Sequence, residues 1–233
     1  MNMRKLLLVV LSCVMVLLLA ACAAVPAAAP AAEAPAAEAP AAEAPAAGEA
    51  VAAKTFEDLV VGYAQIGAES EWRTANTTSI KDEAERLGVE LKFSDAQQKQ
   101  ENQIKAIRSF IAQQVDVIGV SPVVETGWET VFQEAKDAGI PLILVDRRAA
   151  VPEDLYVTYL GSDFVEEGRR AGVAMAEIIG GKGKIVELVG TVGSAPATDR
   201  ATGFREAITE FPEMEIIASQ SGDFTRAARC SAR

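Results

Sequence analysis

The sequence predicts an α/β fold whose parallel sheets are covered by helices on both faces. Two observations carry this. From Lys54 onward, short β-branched apolar runs alternate with segments of helical period in strict β-α-β order. The strand runs are near-continuously apolar instead of alternating, as strands buried on both faces are.

Each element follows from its residues. Leu59 to Gln65 reads as a strand, and Trp72 to Leu87 as a helix with Ala75, Ile80, Ala84 and Leu87 towards one side. Gly88 caps it, because the residue past a helix end often takes the left-handed conformation that glycine tolerates. Glu90 to Ser94 reads as strand, Glu101 to Gln113 as helix, and Val115 to Val120 as a buried strand. Thr130 to Ala138 is a helix ended by Gly139, and Leu142 to Val145 is an apolar strand beginning beside Pro141. Tyr156 to Leu160 makes a fifth strand, Glu166 to Ile179 a helix closed by Gly180-Gly181, and Ile185 to Val189 a sixth strand. Ala201 to Phe211 is the last clear helix, and Glu215 to Ser219 the last strand.

The N-terminus sets the expected location. Arg4 and Lys5 precede an uncharged apolar run from Leu6 to Leu19, which has the length of an export signal and is short for a membrane span of roughly 20 residues. Ala20 and Ala21 directly before Cys22 resemble a bacterial lipobox, so residues 1–21 are expected to be removed and Cys22 to carry lipid. Residues 22–54 are then a tether. The unit Ala-Ala-Glu-Ala-Pro repeats at Ala31, Ala36 and Ala41, and a proline every fifth residue blocks a continuous helix. At about 3.1 Å per residue such a chain reaches on the order of 90 Å, enough to hold a folded unit clear of a lipid surface.

Composition excludes several functions. The formal net charge is −11, and loss of Arg4 and Lys5 takes it to −13; with no basic stripe, nucleic-acid binding is not expected. The chain has no histidine, which removes His-based triads, His metal ligands and the commonest general base. Cys13 leaves with the signal, Cys22 is acylated and Cys230 stands alone, so neither a disulfide framework nor a cysteine metal site is expected, and no cofactor is implied.

In parallel sheets ligands bind outside the carboxyl ends of the strands. Those ends are Gln65 to Arg73, Asp95 to Gln100, Ser121 to Thr126, Asp146-Arg147, Gly161 to Asp163 and Thr191 to Arg200. Asp146 accepts several hydrogen bonds and Arg147 is a rigid fork of donors, a pair that matches sugar hydroxyls without moving a proton. The same two residues also suit a surface ion pair of little energetic weight. Trp72 can offer an aromatic face to the C–H side of a sugar ring beside Glu69, Ser70 and Arg73, or can pack on the core. Enzyme motifs fare worse. Gly180-Gly181-Lys182-Gly183-Lys184 precedes a strand and lacks the phosphate-loop spacing, no Gly-x-Gly-x-x-Gly follows the first strand, and Ser194 has no histidine to activate it.

The segments Val61 to Arg73 (VGYAQIGAESEWR), Asp95 to Trp128, Leu144 to Arg147 (LVDR), Glu187 to Phe204 and Ser219 to Arg226 (SQSGDFTR) resemble the sugar-binding proteins of bacterial ABC importers, the type I periplasmic binding proteins. The resemblance implies an N-terminal lobe at 55–162 and part of a C-terminal lobe at 163–226, with an aberrant tail at 227–233 where family members continue. It implies that Glu69, Ser70, Trp72 and Arg73 line the site, that Asp146 and Arg147 hold ring hydroxyls, and that Arg200 reaches in from the second lobe. Ser121 stands where ribose binders carry asparagine. The function implied is non-enzymatic: a monosaccharide, galactofuranose-like or another aldose, is captured between lobes and handed to an ABC permease. The protein is expected to be monomeric and held at the membrane only by its lipid. The alternative implied is a periplasmic sugar-sensing module for chemotaxis or signalling.

Overall fold

The structure, a computed structural model, describes residues 54–225 and 227. The expected export signal, the expected lipid site Cys22, nearly all of the expected tether and most of the 227–233 tail lie outside the described residues.

Five strands form one parallel sheet: β1 (Val60–Gln65), β2 (Glu90–Asp95), β3 (Val117–Val120), β4 (Leu142–Val145) and β5 (Thr158–Leu160), in the order β2-β1-β3-β4-β5. Val61 pairs with Leu91 on one side and Val117 on the other, and Ile118 pairs with Leu142. The connecting helices are α1 (Glu71–Leu87), α2 (Gln100–Ala112) and α3 (Glu129–Asp137). The step from β1 to β2 runs opposite to the step from β2 to β3, so right-handed crossovers put α1 on one face and α2 and α3 on the other.

The two faces differ in character. Under α2 and α3 lies the main core, with Ile107, Phe110, Ile118, Val120, Trp128, Val131, Phe132, Leu142 and Leu144 buried. Gly62 in β1 is required there, because a Cβ would sit 2.5 Å from the Phe110 ring. The α1 face is more polar: Gln65 donates to Asn76 at 2.9 Å, and Lys81 lies 4.2 Å from the Phe93 ring centroid. Ser70 caps α1 by accepting from the Arg73 N–H at 3.1 Å, and Gly88 ends it in the left-handed region with φ 74°.

Beyond β5 the chain builds α4 (Phe164–Ile179), β6 (Lys182–Val189), α5 (Ala195–Ile208) and β7 (Glu213–Ser221), with β6 and β7 forming a parallel pair. Asp163 caps α4 by accepting from the Glu166 N–H at 3.0 Å. Helices α4 and α5 approach closely through glycines: a Cβ on Gly203 would lie 1.9 Å from the Val165 carbonyl oxygen, and one on Gly168 2.1 Å from that of Arg200. Ala176, Ile185 and Met214 form a small core with Phe204, Ile208 and Phe211 packed against it, while Val186, Leu188 and Ile217 of the same strands are exposed.

Several element boundaries differ from the sequence reading by two residues or more, those of α5, β6 and β5 among them. Helix α5 starts six residues before Ala201, because Pro196 sits in its first turn, where its missing N–H costs nothing. Strand β6 starts at Lys182, so the glycine-rich segment feeds directly into the sheet. Strand β5 covers only the three residues Thr158–Leu160 and follows a 3-10 turn at Glu153–Leu155.

Candidate ligand-binding site

The carboxyl end of β1 turns sharply into α1, and the Ser70 cap fixes that turn. This leaves Glu69 and Arg73 one helical turn apart with both side chains 2% exposed. The Arg73 guanidinium donates from Nε to Glu69 Oε1 at 3.2 Å and from Nη2 to Asp146 Oδ2 at 2.6 Å. Arg73 thus ties the end of β1 to the end of β4.

Asp146 follows β4 in the left-handed region, φ 65°, a conformation that a short polar side chain tolerates. Its N–H donates to the Leu160 carbonyl at 2.7 Å and its carbonyl accepts from the Tyr159 hydroxyl at 2.9 Å, so β5 holds the bend. Arg147 is swept inward and buried. Its Nη1 donates to the Val123 carbonyl at 3.0 Å, whereas its nearest carboxylate oxygens, on Asp146 and Glu69, are 3.9 and 4.0 Å away. Burial, reinforced by repulsion from Arg73, pushes the Arg147 pKa down to about 10, which leaves the group charged at neutral pH.

Two buried side-chain atoms in this cluster have no hydrogen-bond partner: Glu69 Oε2, an acceptor, and Arg147 Nε, a donor. A buried polar atom without a partner costs about 1–3 kcal/mol. Both atoms belong to residues that line one cleft.

The opposite wall comes from the second strand-helix unit. Arg200 on α5 donates from Nε to Glu167 Oε2 on α4 at 2.8 Å, and its guanidinium lies 4.5 Å from the Phe164 ring centroid. Together these groups enclose a cavity of about 360 Å³. Glu69, Ser70, Trp72, Arg73, Asp146, Arg147 and Arg200 all line it, so the residues picked from the sequence converge on one cleft. Trp72 is 57% exposed with the Arg73 guanidinium 4.8 Å from its ring, and the tryptophan packed in the core is Trp128. Ser121 turns away: it is buried, and its hydroxyl is paired with Tyr63 Oη at 2.9 Å.

Sequence reasoning missed Phe224, Phe164 and Glu167, which line the same cavity. Phe224 follows β7 with φ 56°, behind Asp223 at φ 45°, and its ring centroid lies 5.3 Å from the Arg147 guanidinium. The ring packs over Gly190, where a Cβ would lie 1.9 Å from it. Extending the strand-end rule to β7 would have found Phe224; Glu167 sits on a helix and gives no such signal. A larger groove along α1, lined by Thr78, Asp82 and Arg86 among others, shares Glu69, Ser70, Trp72 and Phe224 with this cleft, whereas Arg147 lines only the smaller cavity of the two.

A cleft at the ends of parallel strands, walled by carboxylates, guanidiniums and three aromatic side chains, defines a ligand-binding α/β protein. The chain belongs to the periplasmic binding protein family, whose domain matches residues 61–230. It is 54% identical over 170 residues to the galactofuranose-binding protein YtfQ of Escherichia coli (strain K12), covering 72% of this chain and 54% of that protein. A solved structure from Mycobacterium smegmatis in complex with β-D-fucofuranose is 57% identical, with a TM-score of 0.71 over 73% of this chain and 57% of that one. The fructose-binding periplasmic domain of the hybrid two-component system BT1754 is 33% identical, with a TM-score of 0.67 over 73% of this chain and 56% of that one. The chain thus spans about half the length of the curated relative it matches.

Proposed function

We propose that this chain is the sugar-binding part of a substrate-binding lipoprotein of an ABC importer, capturing a monosaccharide in its furanose form between lobes at 55–162 and 163–226 and delivering it to a permease. The observation that carries the reading is the buried, uncommitted pair of Glu69 Oε2 and Arg147 Nε. A sugar hydroxyl donates and accepts at once, so neighbouring ring hydroxyls satisfy both atoms. The desolvation already spent on them then favours the complex.

Charge supports a neutral ligand. Glu69, Asp146 and Glu167 balance Arg73, Arg147 and Arg200, which leaves no net charge for a phosphate or carboxylate to answer. Trp72 and Phe224 supply flat apolar faces for the C–H side of the ring. Furanose sugars are named for the Escherichia coli and Mycobacterium smegmatis relatives, which favours that ring form here. Catalysis is not part of the reading: a guanidinium with a pKa of about 10 holds its proton at neutral pH and serves as a fixed donor. The protein acts as a monomer, with Cys22 as its only membrane attachment.

A second reading, a periplasmic sugar-sensing module, is favoured by the similarity to a domain of a two-component system. Loss of sugar uptake on deletion of the gene supports the importer, and loss of a sugar-dependent response with uptake intact supports the sensor.

Titration calorimetry with L-arabinose, D-galactose, D-fucose and D-ribose tests the binding claim, with D-galacturonate as the charged control. Saturable binding of at least one neutral sugar is expected, reduced about tenfold or more by Asp146→Ala, as loss of a charged hydrogen bond implies. A folded protein that binds none of them, or binds equally well without Asp146, overturns the reading.

A further inference from the structure

Buried positions on α2 fall at Gln103, Ala106, Ile107 and Phe110, the stripe of an amphipathic helix. Three of the four are apolar core. The first is a glutamine, fully buried where a leucine would ordinarily sit.

All the polar atoms of Gln103 are engaged. Nε2 donates to the carbonyl of Ala64 at 3.1 Å, in β1, and to that of Ser121 at 2.6 Å, just past β3; Oε1 accepts from the Val123 N–H at 3.0 Å. The carbonyl of Val123 in turn accepts from Arg147 Nη1 at 3.0 Å. Among the described residues this is the only hydrogen bond the Arg147 guanidinium makes, since its carboxylate neighbours stand at 3.9 and 4.0 Å, beyond hydrogen-bonding range. The orientation of a buried guanidinium therefore rests on one residue's backbone, and Gln103 holds that backbone from behind.

We propose that Gln103 is the positioning residue for Arg147, holding its guanidinium in place at the wall of the cleft through the backbone of Val123. This rests on the reading of the cleft as a sugar site. A purely structural role differs from it in one respect: stitching β1 to β3 needs only the two Nε2 donors, whereas positioning Arg147 needs the Oε1 acceptor.

Two variants separate the roles. Gln103→Leu removes both functions, and Gln103→Glu keeps the acceptor while giving up donors. The first readout uses no sugar: nuclear magnetic resonance of the Arg147 guanidinium, where a held Nη1 gives slow rotation and resolved Nη signals. Resolved signals are expected in the wild type and in Gln103→Glu, and averaged ones in Gln103→Leu, with thermal melts confirming folded protein. If Gln103→Leu does not fold, the near-isosteric Gln103→Met takes its place: averaged Arg147 signals in that folded variant support positioning, and unchanged signals overturn it. Unchanged Arg147 signals in a folded Gln103→Leu protein also overturn it.

The second readout is sugar affinity in a double-mutant cycle with Arg147→Lys. Gln103→Leu is expected to weaken binding about tenfold alone, and not further once Arg147 is lysine. Equal losses in both backgrounds contradict the proposal. If the wild type binds no sugar, the reading of the cleft fails, and the guanidinium spectra still decide whether Gln103 positions Arg147.

Discussion

Asp146 carries two duties that separate under mutation. Its left-handed backbone, φ 65°, requires a residue that tolerates this conformation, and its carboxylate anchors the Arg73 guanidinium at 2.6 Å. Asn shares the tolerance and lacks the charge. Asp146→Asn is therefore expected to fold with a melting temperature near that of the wild type while losing sugar affinity about tenfold or more. Asp146→Val is expected to lose a further ~1–2 kcal/mol of stability from backbone strain, read by urea unfolding. Equal stability of the two variants contradicts the assignment of strain. At this scale the sequence was half legible. Asp146 and Arg147 stood out because they follow an apolar strand, but nothing in the chain pairs Arg73 with a carboxylate 73 positions away. Only folding makes that contact.

A second test at single residues concerns pH. Glu125, before α3, meets the start of α5: burial pushes its pKa up, the charge of Asp199 adds to this, and a hydrogen bond from Thr198 opposes it. Asp199 is also raised, mainly by burial and further by Asp163, with Arg148 acting in the opposite direction. Above the ordinary carboxylate range the folded state then holds more protons than the unfolded state, so these groups cost stability as pH rises through that window and return it on acidification. Glu125→Gln is expected to raise the melting temperature at pH 7, with the gain shrinking as pH falls through the raised pKa. A gain that is the same at pH 7 and pH 4 contradicts this origin.

Between α4 and α5 the contact depends on the absence of side chains. A Cβ at Gly203 would meet the Val165 carbonyl at 1.9 Å, and backbone cannot give way as a flexible side chain does. Gly203→Ala is expected to cost about 1–3 kcal/mol, as overpacking does, measured by urea denaturation. The damage should extend to the cleft, because Arg200 and Glu167 meet across these two helices. An unchanged midpoint contradicts the close approach. Elements with strong local signals were readable in advance: β1, β3 and β4 are apolar runs, and Gly88 and Gly180 end their helices in the left-handed region. The first turn of α5 was not, because Thr198, Asp199 and Arg200 look like loop residues and Pro196 looks like a break. At a helix start proline favours the helix instead.

Across the whole molecule, the proposed function depends on bringing two strand-helix systems together at one cleft. The five-stranded sheet supplies Glu69, Arg73, Asp146 and Arg147, and the second unit supplies Arg200 and Phe224. The first holds the larger core, while the second leaves Val186, Leu188 and Ile217 exposed. Stability is therefore expected to be uneven, with amide exchange slow in β1, β3 and β4 and faster in β6 and β7. Uniform exchange through both sheets contradicts that division. The fold class was legible because alternation and burial leave marks on every strand. Phe224 lay within reach of the strand-end rule, but the bend that carries its ring over Gly190 was not legible, since it depends on two successive left-handed residues that are neither glycine nor asparagine.

The central claim is that a sugar sits against Trp72 and the free Nε of Arg147. The most direct measurement is a nuclear magnetic resonance titration with L-arabinose or D-fucose, following side-chain N–H signals at concentrations high enough to register weak binding. The Trp72 indole and Arg147 Nε–H signals are expected to shift together and saturate. Trp128 is the internal control, since its indole donates to the Val124 carbonyl at 2.6 Å inside the core and should not move. Saturable sugar binding that leaves Trp72 and Arg147 unmoved contradicts the account.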